Sequence, residues 1–166
     1  MATGPAAPSV RPTGLGASLA EAVRSRPVAA HLTLMGTLAF SAGVHAGLIP
    51  QHIDQSPYLG VAFICAVIAT VAVAIALARD PGTTWPPRAA ALLFAGEIVA
   101  YVLFTENITD PTGVLTKLVE GTGLVVALLI RPTPELASQR RAYAPAYLLL
   151  VAFAVLVALQ ASGHHH

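Results

Sequence analysis

The sequence predicts an all-α integral membrane helical bundle of five transmembrane helices, with its N-terminus in and its C-terminus out. Three observations predict it: a shortage of charge, five apolar stretches of spanning length, and arginines confined to one set of loops. Of 166 residues, 55% are hydrophobic and 10% charged, whereas an ordinary soluble domain has about 45–50% and about 25%. So little charge cannot cover a water-facing surface, which argues against a soluble globular enzyme. The formal net charge of +1 leaves no basic footprint for nucleic acid. The single cysteine, Cys65, excludes an intramolecular disulfide and any multi-cysteine metal site. It is expected to be a buried small apolar residue.

A spanning helix needs roughly 20 mostly apolar residues. Five stretches meet or approach that length: Val28 to Ile49, Tyr58 to Ala78, Ala89 to Phe104, Val114 to Ile130 and Tyr143 to Leu159. The connections between them hold the turn formers Pro50 and Pro57, then Pro81, Gly82, Pro86 and Pro87. Asp110, Pro111 and Gly113 follow, and last Pro132 and Pro134. Proline marks a helix boundary because it has no N–H to give the ladder. Residues 1–27 are rich in Ala, Pro, Gly and Ser and read as a flexible cytoplasmic arm. Residues 28–161 form the transmembrane domain, and 162–166 a histidine tail that resembles a purification-tag remnant. A cleaved signal peptide is the competing reading of the first span, but its apolar run is long for a signal core.

All eight arginines fall on one side of this arrangement. Arg11, Arg24 and Arg26 precede the first span, Arg79 and Arg88 bracket the second connection, and Arg131, Arg140 and Arg141 lie in the fourth. The positive-inside rule assigns that side to the cytoplasm, and the protein to the plasma membrane as a multi-pass chain. Trp85 and Tyr143 on the inner side, and Tyr58 and Tyr101 towards the outer, fit aromatic belts. The alanines of the second span and Gly121 and Gly123 of the fourth are small residues that let helices pack closely.

Ionisable groups inside a bilayer cost about 2.5–3.5 kcal/mol each on insertion scales, and each is a functional candidate. His45 lies roughly 7 Å below the outer end of span one, and Glu97 roughly 10 Å below that of span three. Lys117 and Glu120 lie roughly 5 and 9 Å into span four. Three spans therefore place polar groups in one layer of the outer half. Tyr101 and Thr105 follow Glu97 at helical spacing, Thr116 precedes Glu120 by one turn, and Ser41 is one turn inward from His45. If these faces converge, a polar relay of Glu97, Tyr101, Lys117 and Glu120 runs down from the outer surface. The bland alternative is an i,i+3 pair of Lys117 and Glu120 with the lysine snorkelling outward, and a histidine bonded to a carbonyl.

The first outer loop, Pro50 to Pro57, adds His52 and Asp54. Pro50 is expected to break the helix, so that the chain folds back and brings His52 beside His45. Imidazole suits transition metals, and carboxylate shifts the preference toward harder ions. His45, His52 and Asp54 are therefore the candidate metal ligands. Glu106 and Asp110 make the second outer loop acidic too, although topology alone explains its lack of cations. The sequon Asn107-Ile108-Thr109 sits in a short loop and carries no weight. His31 and His45 share a face of the first span, but no partner histidine on a second span supports haem ligation. No phosphate loop, nucleophile elbow or H-E-x-x-H motif is present.

The run His45-Ala46-Gly47-Leu48-Ile49-Pro50-Gln51-His52, followed by Ser56-Pro57-Tyr58-Leu59-Gly60 and Phe63, resembles a hairpin of small uncharacterised actinobacterial polytopic membrane proteins. Those carry a His-x4-Pro-x-His outer loop and then a Gly and a Phe opening the next span. The resemblance covers roughly spans one to four. It implies a polytopic fold and pairs His45 with His52, but implies no activity. Gln51 stands where such proteins often have an acidic residue, which weakens a carboxylate-rich site in the loop.

The leading functional expectation is binding or passage of a cation, foremost a transition metal ion, from the extracytoplasmic side. An accessory subunit of a larger membrane complex is the alternative, and a membrane enzyme acting on a lipid or quinone the third. The expected partners are the lipid bilayer and a homo-oligomer or larger complex, not nucleic acid.

Overall fold

The computed structural model describes residues 15–104, 110–138 and 144–163. Among them all regular structure is helical: α1 (Leu15–Ser25), α2 (Pro27–Gln55), α3 (Pro57–Arg79), α4 (Trp85–Phe104), α5 (Pro111–Leu129), α6 (Pro134–Ser138) and α7 (Ala144–Gly163). Five of these, α2, α3, α4, α5 and α7, are long and apolar enough to cross a membrane. They correspond one to one with the five stretches read from sequence. Arg24, Arg26, Arg79, Arg88 and Arg131 all stand at helix ends on the α3–α4 side of the bundle. Arg11, Arg140, Arg141 and Tyr143 lie outside the described residues.

Proline opens most of these helices. Pro27, Pro57 and Pro111 occupy the first turns of α2, α3 and α5, and Pro86 and Pro87 fall in the first turn of α4. First-turn N–H groups have no partner in the helix, so proline loses nothing there. Asp110 caps α5, its carboxylate accepting from Gly113 N at 2.6 Å. The Asp110 carboxylate is thereby committed to the backbone.

Two expectations change. Pro50 does not break the first span: α2 runs through it to Gln55, so most of the expected outer loop is helix. A proline inside a helix removes one ladder bond and crowds the carbonyl four residues earlier. Around it the chain stays well bonded, with the His52 ring Nδ1–H donating to Leu48 O at 2.9 Å and Ser56 N to His52 O at 2.9 Å. Ser56 alone separates α2 from α3, in the extended conformation that a following proline favours. Residues 15–25 of the expected flexible arm are helical as α1, because Ala17 to Ser25 form a run of helix-tolerant residues free of Gly and Pro. Val23 of α1 packs on the core.

α2 is the hub, packed against α3, α7 and α5, while α4 packs on α5 and α3. Gly43 and Gly47 carry the α2–α7 contact. A methyl at Gly43 would lie 2.6 Å from Ala154 O, and one at Gly47 2.6 Å from Ala158 O. They are a G-x-x-x-G pair, spaced so that two helix backbones can touch. Gly123 opens α5 to Phe94 and Thr37 in the same way, whereas Gly121 faces open space. Cys65 is exposed, contrary to expectation.

The core lies toward the α3–α4 end. Leu34, Leu38, Val73, Leu77, Ala90, Phe94, Val126 and Ile130 are among its buried members, drawn from α2 to α5 and the residue that follows α5. Nearer the opposite end the same four helices bury Ser41, His45, Thr70 and Glu120, while α2 buries His31 and Thr37 on the core side.

Candidate functional site

Each of the four helices sends polar side chains into one small region. α2 supplies Ser41 and His45, α3 Thr70, α4 Glu97, and α5 Lys117 and Glu120. Ser41, His45, Thr70 and Glu120 are buried, with Ser41, Thr70 and Glu120 at zero exposure.

Ser41 stands where they meet. Its Oγ lies 2.9 Å from Glu120 Oε1, 3.1 Å from Glu97 Oε2 and 3.2 Å from His45 Nδ1. His45 Nδ1 is also 2.8 Å from the Ser41 carbonyl oxygen. A carbonyl only accepts, so Nδ1 carries the hydrogen and, in the neutral ring, Nε2 carries the lone pair. That is the tautomer of a metal-ligating histidine whose other nitrogen is held by the backbone.

Hydrogen counting bears on the carboxyls as well. Ser41 has one hydroxyl hydrogen and faces two carboxyl oxygens. Thr70 Oγ1 donates to Ala66 O at 2.8 Å and lies 3.4 Å from Glu97 Oε1. Its one hydrogen is better placed on the carbonyl, which leaves an acceptor facing the carboxyl. The Lys117 ammonium pairs with Glu120 Oε2. Two carboxyls therefore face a single ammonium, an arrangement with room for further positive charge.

One ligand atom from each of His45, Glu97 and Glu120 lies within 4.8 Å of the others. Three side chains from three helices, one nitrogen and two carboxylates, form a donor set suited to zinc, iron(II) or manganese(II).

The candidates read from sequence divide sharply. Glu97, Lys117, Glu120 and His45 meet, so the polar faces do converge. Tyr101 joins them at the edge, with Lys117 Nζ 5.4 Å from its ring centroid. Thr116 does not join, since its hydroxyl donates to Thr112 O. The expected trio of His45, His52 and Asp54 is not brought together. Because α2 is continuous, His52 sits two turns above His45, roughly 10 Å along the axis. The Phe63 ring packs against both, at 5.2 Å from His45 and 4.1 Å from His52. Asp54 is exposed and lines a shallow cleft with Gln51 and Ser162. Thr105, Glu106, Asn107 and His164 to His166 lie outside the described residues. His31 bonds the Tyr147 hydroxyl through Nε2 at 3.1 Å, well apart from this site.

Thr70 is the residue that sequence reading passed over. It is the one hydroxyl in the interior of α3, and that isolation in an otherwise apolar run was its only signal.

Comparison with protein families, curated proteins and solved structures finds no match to this chain.

Proposed function

We propose that this chain is a multi-pass protein of the plasma membrane that binds a divalent transition-metal cation at His45, Glu97 and Glu120. The N-terminus is placed in the cytoplasm and the C-terminus outside, because the arginines collect at one end. The observation that carries the reading is the convergence of three ligating side chains from three helices within 4.8 Å. The bond between His45 Nδ1 and the Ser41 carbonyl supports it by fixing the imidazole ring beside the two carboxyls. Burying such groups is costly, and turning them toward one another and an ion offsets that cost.

Binding is favoured over passage. Inward of the site, Leu34, Leu38 and Phe94 pack at zero exposure. Thr37 and His31 are the buried polar side chains of α2 on that side, and the apolar packing around them favours entry and exit from the outer side.

The test uses protein ending at Gly163, without the histidine tail. Co²⁺, Zn²⁺, Mn²⁺ and Fe²⁺ are added singly and thermal unfolding is followed. At least one should stabilise the wild type, and the effect should vanish in His45→Ala and Glu97→Gln but persist in His52→Ala and Asp54→Ala. Unchanged melting with every ion would refute the reading.

A further inference from the structure

The candidate site already contains a cation. Lys117 Nζ contacts Glu120 Oε2, while the other oxygen of Glu120 faces Ser41. The lysine is partly exposed, its carboxylate fully buried. One turn outward the ammonium meets the ring of Tyr101, 5.4 Å from its centroid. Tyr101 reaches that place because Gly113 has no side chain: a methyl there would lie 2.6 Å from Tyr101 Oη. The ammonium therefore has a carboxylate on its inner side and an aromatic face beside it.

We propose that Lys117 is a tethered occupant of the cation site, holding Glu120 in the empty state and moving onto Tyr101 when a divalent ion enters. It thereby restricts the site to divalent ions. This inference rests on the reading of His45, Glu97 and Glu120 as ligands.

The physical reason is competition between a free ion and a tethered one. A short tether gives the ammonium an effective concentration in the millimolar range or above. A monovalent cation brings only the charge that Lys117 already supplies, so it gains nothing in Coulomb energy and must still displace a tethered rival. A divalent ion brings a second charge to a site with two carboxyls and wins. The displaced ammonium is not stranded in hydrocarbon, since the Tyr101 face attracts it and its stem is long enough to snorkel.

The experiment measures Co²⁺ binding to tail-free protein in nanodiscs, by titration and by the visible spectrum of the bound ion. Lys117→Met should bind Co²⁺ about tenfold more tightly, the scale of one removed charge contact, and should become stabilised by Na⁺. Tyr101→Leu should bind Co²⁺ several-fold more weakly, because the displaced ammonium loses its resting place. Lys117→Arg, which keeps a tethered cation, should stay close to the wild type.

His45-dependent Co²⁺ binding that is unchanged or weaker in Lys117→Met overturns the inference and leaves the site standing. Competition between Na⁺ and Co²⁺ in the wild type does the same. Absence of Co²⁺ binding in the wild type removes site and inference together. Should Lys117→Met fail to fold, Tyr101→Leu and the Na⁺ competition decide.

Discussion

The two halves of the bundle are built on the same four helices and follow opposite rules. Toward the arginine end, α2 to α5 bury Leu34, Leu38, Leu77, Ala90, Phe94 and Val126 against one another with no charge among them. Toward the other end, the same helices bury Ser41, His45, Thr70 and Glu120. The half toward the arginine end is held chiefly by contact between apolar side chains, which tolerates loss of atoms poorly, with His31 and Thr37 its buried polar members. The other half is held by hydrogen bonds and an ion pair, so on the proposed reading its stability responds to an added cation.

The sharpest test of the contrast truncates each half in turn. Phe94→Ala empties the largest fully buried side chain of the core and should cost about 3–5 kcal/mol in reversible unfolding from mixed micelles. Any stabilisation by Co²⁺ should survive in that variant. A loss of Co²⁺ response as large as that in His45→Ala would mean the halves are not separable.

Ser41→Ala removes the hydroxyl that links the two carboxyls to His45. It should cost about 1–3 kcal/mol, the range for leaving buried polar groups short of a partner, and should also weaken Co²⁺ binding. An equal Co²⁺ affinity in Ser41→Ala would reduce the serine to a spacer.

Acid provides a third separation. An imidazole and carboxylates must shed protons to ligate a metal, so stabilisation by Co²⁺ should fade as pH falls. The penalty of Phe94→Ala, measured in the same buffers, should stay level. Parallel changes would break the distinction.

The smallest effect is expected at His52. Its ring is only half-buried, stacked on Phe63 and bonded to Leu48 O. His52→Ala should cost about 1 kcal/mol or less and leave Co²⁺ affinity within experimental error. A large loss there would restore His52 to the ligand set.

Much of the site was legible before any coordinates. Counting residues inward from the span ends placed His45, Glu97 and Glu120 in one layer, and the cost of turning them to lipid argued that they meet. Counting could not say around which axis. His45 and His52 looked like a pair because Pro50 stood between them, yet the helix ran through the proline and held them two turns apart. Thr70 went unnoticed because a lone hydroxyl carries no periodic signal. Gly43 and Gly47 sat in plain view as a G-x-x-x-G pair, overshadowed by the alanines of α3, several of which are exposed.

By itself the sequence determined the all-helical class, the number of long apolar helices and the position of each polar group along its helix. Those follow from composition and from the constant rise of a helix, both properties of the chain taken one segment at a time. Only the tertiary structure decided which groups touch: Glu97 and Glu120 through Ser41, Lys117 against Tyr101, and His52 apart from His45. Contact depends on the rotation of each helix and on its neighbours, and those are set by where glycines let backbones close and where large side chains hold them apart.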